Sequence, residues 1–122
     1  MLRLMKEKES VNVVNDQFGC PTYAADLAQA ILQIISSGMS IEKAGIYHYT
    51  NSGITNWYEF AVAIHDLSGS TCIVNPIPTT GYPTPAKRPM YSVLDTNKIR
   101  QAFEMVIPGW KDSLQKCLKL LQ

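Results

Sequence analysis

Val11-Asn12-Val13-Val14-Asn15-Asp16-Gln17-Phe18-Gly19-Cys20-Pro21-Thr22 is the stretch on which the fold class turns. Its β-branched start reads as a short strand running into a Gly/Pro loop from Asn15 to Pro21. A helix is expected to begin near Thr22, where Pro21 fixes the entry and the hydroxyl offers a cap. Leu27, Ile31, Ile34 and Ile35 recur at helical spacing, and Gly38 supplies a stop. The same alternation follows downstream. Ile46-Tyr47-His48-Tyr49 is a second strand candidate, and Asn51-Ser52-Gly53 is a turn signal. A helix opens at Asn56, with Glu59 three residues on in a capping-box arrangement; Phe60, Ile64 and Leu67 line one face and Gly69 ends it.

Ile73-Val74-Asn75-Pro76-Ile77 reads as an edge strand, because Pro76 has no N–H to donate. From Pro78 to Pro89 four prolines disfavour helix and central strand alike. Asp95 or Thr96 caps a short helix ending at Phe103. After Pro108-Gly109 comes a last helix with Trp110, Leu114, Cys117, Leu118 and Leu121 as its stripe. The order β-α-β-α-β-loop-α-α predicts an α/β fold with few short strands and about four helices. Three short strands make a poor sheet alone, so they are expected to extend a sheet supplied elsewhere.

The bulk properties exclude several classes. A chain of 122 residues with 46% hydrophobic and 17% charged residues fits one domain able to bury a core. A net charge of +1 gives no basic field for nucleic acid. No apolar run is long enough for a membrane span, and the N-terminal residues lack the pattern of a signal peptide. Cys20, Cys72 and Cys117 are odd in number and show no Cys-x-x-Cys spacing, so neither a disulfide framework nor a zinc site is expected. A reducing, cytoplasmic setting fits.

The chemistry-bearing residues are sparse. No Gly-x-Gly-x-x-Gly cluster follows a strand. None of the six tyrosines has Lys four residues later, the spacing by which a short-chain reductase lowers a phenol pKa. Catalytic residues are therefore not expected in this chain. His48 reads as a strand histidine that packs or hydrogen-bonds, and His65 as a surface residue. Asp16 reads as a turn former and Asp26 as first-turn dipole compensation. Cys20 reads first as a small packing residue and second as a nucleophile, and Trp57 and Trp110, both at helix starts, as core residues, with stacking on a base the lesser reading. Lys87-Arg88 stands apart. A planar guanidinium matches phosphate oxygens, and Pro85 and Pro89 restrict the backbone around the pair. A solvated basic pair and an anion grip are equally open readings of these two residues.

Four ordered segments carry a family resemblance: Asn15-Asp16-Gln17-Phe18-Gly19-x-Pro21-Thr22 with Asp26-Leu27-Ala28; Gly45-Ile46-Tyr47-His48; Trp57-Tyr58-Glu59-Phe60-Ala61; and Tyr82-Pro83-Thr84-Pro85-Ala86-Lys87-Arg88-Pro89-x-x-Ser92-x-Leu94. Together they resemble the C-terminal portion of the dTDP-4-dehydrorhamnose reductases, in the extended short-chain dehydrogenase/reductase superfamily. The resemblance implies that residues 1–122 form one C-terminal substrate-binding domain, a fragment lacking the main Rossmann sheet and its NAD(P)-binding domain. The complete enzyme would reduce dTDP-4-dehydro-L-rhamnose to dTDP-L-rhamnose with NADPH or NADH, for cell-surface polysaccharides. The fragment alone would bind no cofactor and show no activity.

Carried over residue by residue, the resemblance places Arg88 on the diphosphate of a dTDP-sugar with Lys87 in support. Gln17, Pro21 and Thr22 would border the cleft, Tyr82 would pack near the nucleotide, and Ser92 would stabilise the loop. No metal is expected, because Glu7 and Glu9 have no acidic partner in Lys119-Leu120-Leu121-Gln122. The faces that meet the missing domain should be apolar and exposed, favouring a homo-oligomer. A second reading, from relatives of this fold such as the methionine adenosyltransferase β subunit, is a non-catalytic regulatory subunit that binds protein.

Overall fold

In the computed structural model, which describes residues 1–38 and 41–121, the Val-rich run is a strand, but a helix precedes it. The elements are α1 (Leu2–Glu7), β1 (Ser10–Val14), β2 (Phe18–Gly19), α2 (Ala24–Ser36), β3 (Thr55–Asn56), α3 (Trp57–Ser68), β4 (Ile73–Ile77), α4 (Asn97–Phe103) and α5 (Trp110–Lys119). Single 3-10 turns cover Ile41–Lys43 and Thr79–Gly81. The α/β class with few strands is as expected; the helices number five among the described residues, because α1 gave no signal that was read.

β1 and β4 pair in parallel, with Val11 opposite Val74 and Val13 opposite Pro76. Both strands are edges of a two-stranded sheet, so the missing N–H of Pro76 breaks no interior ladder. Helix α3 packs on this sheet, and α1 and α5 pack on α3. Met5, Val11, Val13, Ala61, Ile64, Cys72, Trp110, Leu114 and Leu118 form the main core. Ala30, Ile99, Phe103, Met105 and Ile107 form a second core between α2 and α4.

Helix α3 is capped as its sequence implies. Asn56 Oδ1 accepts the Glu59 N–H at 2.8 Å, and Gly69 closes the helix at φ 65°. Glu59 does not reach back to the cap; its carboxylate accepts the Thr55 hydroxyl at 3.1 Å. Ala61 and Ile64 are buried, whereas Leu67 is exposed. In α4, the Asp95 carboxylate accepts the Asn97 N–H at 2.8 Å, so Asp95 rather than Thr96 provides the side-chain cap. In α5, Trp110, Leu114 and Leu118 are buried, Cys117 is half-buried and Leu121 lies outside the core.

Two expectations are corrected. Ile46–Tyr49 is not a strand. Side chains hold it instead: Tyr47 packs edge-on against Phe103 with centroids 5.2 Å apart, and Lys98 Nζ donates to the Ile46 carbonyl at 2.8 Å. His48 is accordingly an exposed loop residue. Helix α2 starts at Ala24, not at Thr22, and its cap comes from far away: Asn51 Oδ1 accepts the Tyr23 N–H at 2.7 Å. Most of the apolar stripe of α2 faces outward. Leu27, Ile31, Leu32 and Ile35 are all exposed, and the helix packs through Ala30 and Ile34.

Asn51, 1% exposed, joins the two cores. Besides taking the Tyr23 N–H, its Nδ2 donates to Asp26 at 2.6 Å, Ser113 Oγ at 2.9 Å and the Pro108 carbonyl at 3.3 Å. Asp26 is thus more than a dipole-compensating residue, since it also accepts the Ser113 hydroxyl. Gly53 is required by the same corner. It has φ 96°, and a Cβ there would lie 2.9 Å from Trp110 Cδ1. No helix among the described residues is long and apolar enough to cross a membrane. Nor do the described residues hold a cluster of three or more His, Cys, Asp or Glu able to bind a metal. The stretch from Lys119 to Gln122, expected to offer no acidic partner to Glu7 and Glu9, ends outside the described residues.

Candidate functional site

The loop after β1 does more than turn. Its Phe18-Gly19 pairs antiparallel with Thr55-Asn56, Phe18 opposite Asn56. A segment from the far side of the Pro-rich stretch is then tied to the same residue. Phe18 N–H donates to the Met90 carbonyl at 2.8 Å, and the Phe18 carbonyl accepts the Ser92 N–H at 2.9 Å and the Ser92 hydroxyl at 3.1 Å. Gly19 permits this close approach, for a Cβ there would sit 3.0 Å from Ser92 Oγ. Ser92 stabilises the loop and also lines the space it helps to form.

That space is a cleft of about 370 Å³. Gln17 to Pro21 line one side, Thr55, Asn56, Trp57 and Phe60 another, and Arg88, Pro89, Ser92 and Leu94 close it. Its wall is mostly apolar, and Arg88 is the one charged residue among those that line it. Among the described residues Arg88 has no acidic partner. An unpaired guanidinium at an apolar wall with neutral donors nearby can hold an anion that carries a flat or hydroxylated body.

Of the expected site residues, Gln17, Pro21 and Arg88 line the cleft together. Thr22, Lys87 and Tyr82 are exposed and do not line it. Lys87 adds charge one residue from the site. Trp57 was misread. Trp110 is 7% exposed in the core, whereas Trp57 is 52% exposed on the cleft. Trp57 lies one turn before Ala61 on the same helical face. At the first residue of α3 that face has passed the core and meets open space. Cys20 is half-buried on the cleft wall rather than in the core.

Below the cleft, Asp16 fastens the loop to the 3-10 turn. Its carboxylate accepts the Thr79 N–H at 2.9 Å and the Thr79 hydroxyl at 2.5 Å. These bonds, the hydroxyl first, hold the Asp16 carboxyl below its ordinary value of 3.8. A lowered carboxyl stabilises the fold above its ordinary value. That contribution is lost as the pH falls from 3.8 through the lowered value. Asp16→Asn is therefore expected to lower the Tm at neutral pH and to flatten the acid limb of the Tm–pH curve. Parallel acid limbs for the two proteins would remove Asp16 from this role.

The RmlD substrate binding domain model matches residues 1–122. The chain belongs to this family. It is 41% identical to the dTDP-4-dehydrorhamnose reductase of Escherichia coli K12, an alignment covering 99% of this chain and 43% of that protein. It is 40% identical to the spore coat polysaccharide biosynthesis protein SpsK of Bacillus subtilis, over 98% of this chain and 40% of the other. The crystal structure of a dTDP-4-dehydrorhamnose reductase from Clostridium acetobutylicum superposes with a TM-score of 0.89 at 39% identity, covering 99% of this chain and 42% of that one. The Bacillus anthracis enzyme, solved in complex with NADP, gives 0.88 at 34% identity, covering 98% and 41%. The chain thus spans about two fifths of the length of the relatives it matches.

Proposed function

We propose that residues 1–122 are a single substrate-binding domain, the part of a dTDP-4-dehydrorhamnose reductase that holds the dTDP-sugar. The observation that carries this is the cleft in which an unpaired Arg88 and the exposed ring of Trp57 share one mostly apolar wall. Arg88 would grip the diphosphate, with Lys87 in support, and Trp57 would stack on the base. Gln17 and Pro21 would border the nucleotide-sugar, with Thr22 and Tyr82 further out.

In the whole enzyme, hydride from NADPH or NADH would pass to the carbonyl carbon at position 4 of dTDP-4-dehydro-L-rhamnose, giving dTDP-L-rhamnose. The cofactor and the proton donor would belong to a Rossmann domain outside these 122 residues. What this chain supplies is position, holding the ketosugar so that the reacting carbon is presented at a fixed distance. The exposed apolar face of α2 is the surface offered to that domain or to a second copy. Three free cysteines fit a cytoplasmic setting.

The direct test is a titration of the 122-residue chain with dTDP, followed by tryptophan fluorescence. Saturable quenching is expected, and Trp57→Phe should abolish most of it while Trp110 still emits. Absence of binding at millimolar dTDP would refute the reading. Added NADPH should not be consumed by the chain alone.

A further inference from the structure

We infer that Asp16 and Thr79 are positioning residues which fix the polarity of the Gln17 amide, so that Gln17 presents a hydrogen-bond acceptor, Oε1, to the ligand in the cleft. This rests on the nucleotide-sugar reading for the ligand and on hydrogen-bond counting for the rest. The Thr79 hydroxyl has one proton. Asp16 is ionised at neutral pH, its carboxyl being held below 3.8, and an ionised carboxylate only accepts. The proton therefore lies in the 2.5 Å contact from Thr79 Oγ1 to Asp16. Thr79 Oγ1 is left able only to accept from Gln17, 3.0 Å away. The amide atom facing it must then be Nε2, which fixes the flip of the side chain.

Oε1 is thereby turned away from Thr79, and no protein donor among the described residues reaches it. Every sealed side-chain nitrogen or oxygen among the described residues has a partner. The unpartnered Oε1 is accordingly open to solvent, although Gln17 as a whole is only 9% exposed. Gln17 is one of the residues that line the cleft, and it is there that we place Oε1. A buried amide with one rigidly bound end is a discriminating group, since a ligand without a matching donor leaves Oε1 unpaired. A thymine nucleotide-sugar has such donors in three places, the imide N–H of the base, the 3′-hydroxyl of the deoxyribose and the hydroxyls of the hexose.

Two measurements on the 122-residue chain decide the matter. The first needs no ligand. In NMR, the two Gln17 side-chain amide protons should be widely split, with one slow to exchange. Thr79→Val should collapse this pattern and Thr79→Ser should keep it. Unchanged Gln17 signals in Thr79→Val would overturn the clamp. The second compares dTDP, 3-methyl-dTDP and dTDP-glucose. If the base imide is the donor, Thr79→Val weakens dTDP by about 3- to 10-fold and leaves 3-methyl-dTDP unchanged, the range expected for one neutral hydrogen bond. If a hexose hydroxyl is the donor, it weakens dTDP-glucose and spares dTDP. If the deoxyribose 3′-hydroxyl is the donor, it weakens all three alike and spares 2′,3′-dideoxythymidine diphosphate. An equal loss that extends to that fourth ligand, or no loss for any, would overturn the acceptor role. A wild-type chain that binds none of them refutes that role together with the nucleotide-sugar reading, while the amide signals still judge the clamp.

Discussion

Arg88→Ala is expected to weaken dTDP binding by roughly 10- to 150-fold, the equivalent of about 1.5–3 kcal/mol for a charge-assisted contact. The size follows from the surroundings of Arg88. It is the one charged residue lining a mostly apolar cleft, and no carboxylate among the described residues shares its charge. A neighbouring acid would already have spent the guanidinium and lowered the effect. Arg88→Lys should recover only part of the loss, because an ammonium cannot match two phosphate oxygens in one plane. Thymidine, lacking phosphates, should bind the wild type and the alanine variant alike. In the complete reductase the same change should raise KM for the nucleotide-sugar. Equal dTDP affinities for wild type and Arg88→Ala would remove this residue from the site. Lys87→Ala, which alters a side chain outside the cleft, should weaken binding far less and chiefly at low salt.

Much of this site was legible locally, and what was not has a physical reason. The capping of α3 by Asn56 and its end at Gly69 depend on residues within one helix, so the sequence shows them directly. Gln17, Pro21 and Arg88 sit in Pro/Gly-rich segments whose stiffness is a local property. Trp57 was missed because its exposure depends on where α3 runs off the core, and that is set by β1 and β4. The two-residue ladder between Phe18-Gly19 and Thr55-Asn56 is too short to leave a period-2 pattern. The stripe on α2 reads from sequence as an apolar face, and in the structure most of that face is exposed. Periodicity shows that a helix has an apolar face and not what covers it. Ile46-Tyr47-His48-Tyr49 has strand composition without a strand partner among the described residues, and side-chain contacts to α4 determine its path instead.

Asn51 belongs to the same class of residue, read from sequence as a turn former and found in the structure as a buried junction. Asn51→Ala is expected to destabilise the chain by about 3 kcal/mol or more, lowering the Tm by on the order of 10 °C. The amide of Tyr23 loses its acceptor at the start of α2, and the Pro108 carbonyl loses a donor. Asp26 keeps the Ser113 hydroxyl but loses the Asn51 amide. Of these part-buried or buried groups the Tyr23 N–H is left unpaired, at about 1–3 kcal/mol. Asp26 keeps Ser113 and the Pro108 carbonyl keeps the Ser52 N–H, so that each lost bond there costs about 0.5–1.5 kcal/mol, more at the charged Asp26. Asn51→Asp separates hydrogen-bond polarity from volume. It preserves size and the acceptor for Tyr23, yet places a second carboxylate where Nδ2 met Asp26. It should therefore destabilise at least as much as Asn51→Ala at neutral pH. If Asn51→Asp instead melts close to the wild type, the junction is held by packing, and the hydrogen bonds across the two cores contribute little. The effect should also reach the cleft, since Tyr23 follows Pro21 by two residues and Thr50, which lines the cleft, precedes Asn51. A loss of dTDP affinity in Asn51→Ala, measured below its Tm, is the expected sign that this buried junction sets the position of the site.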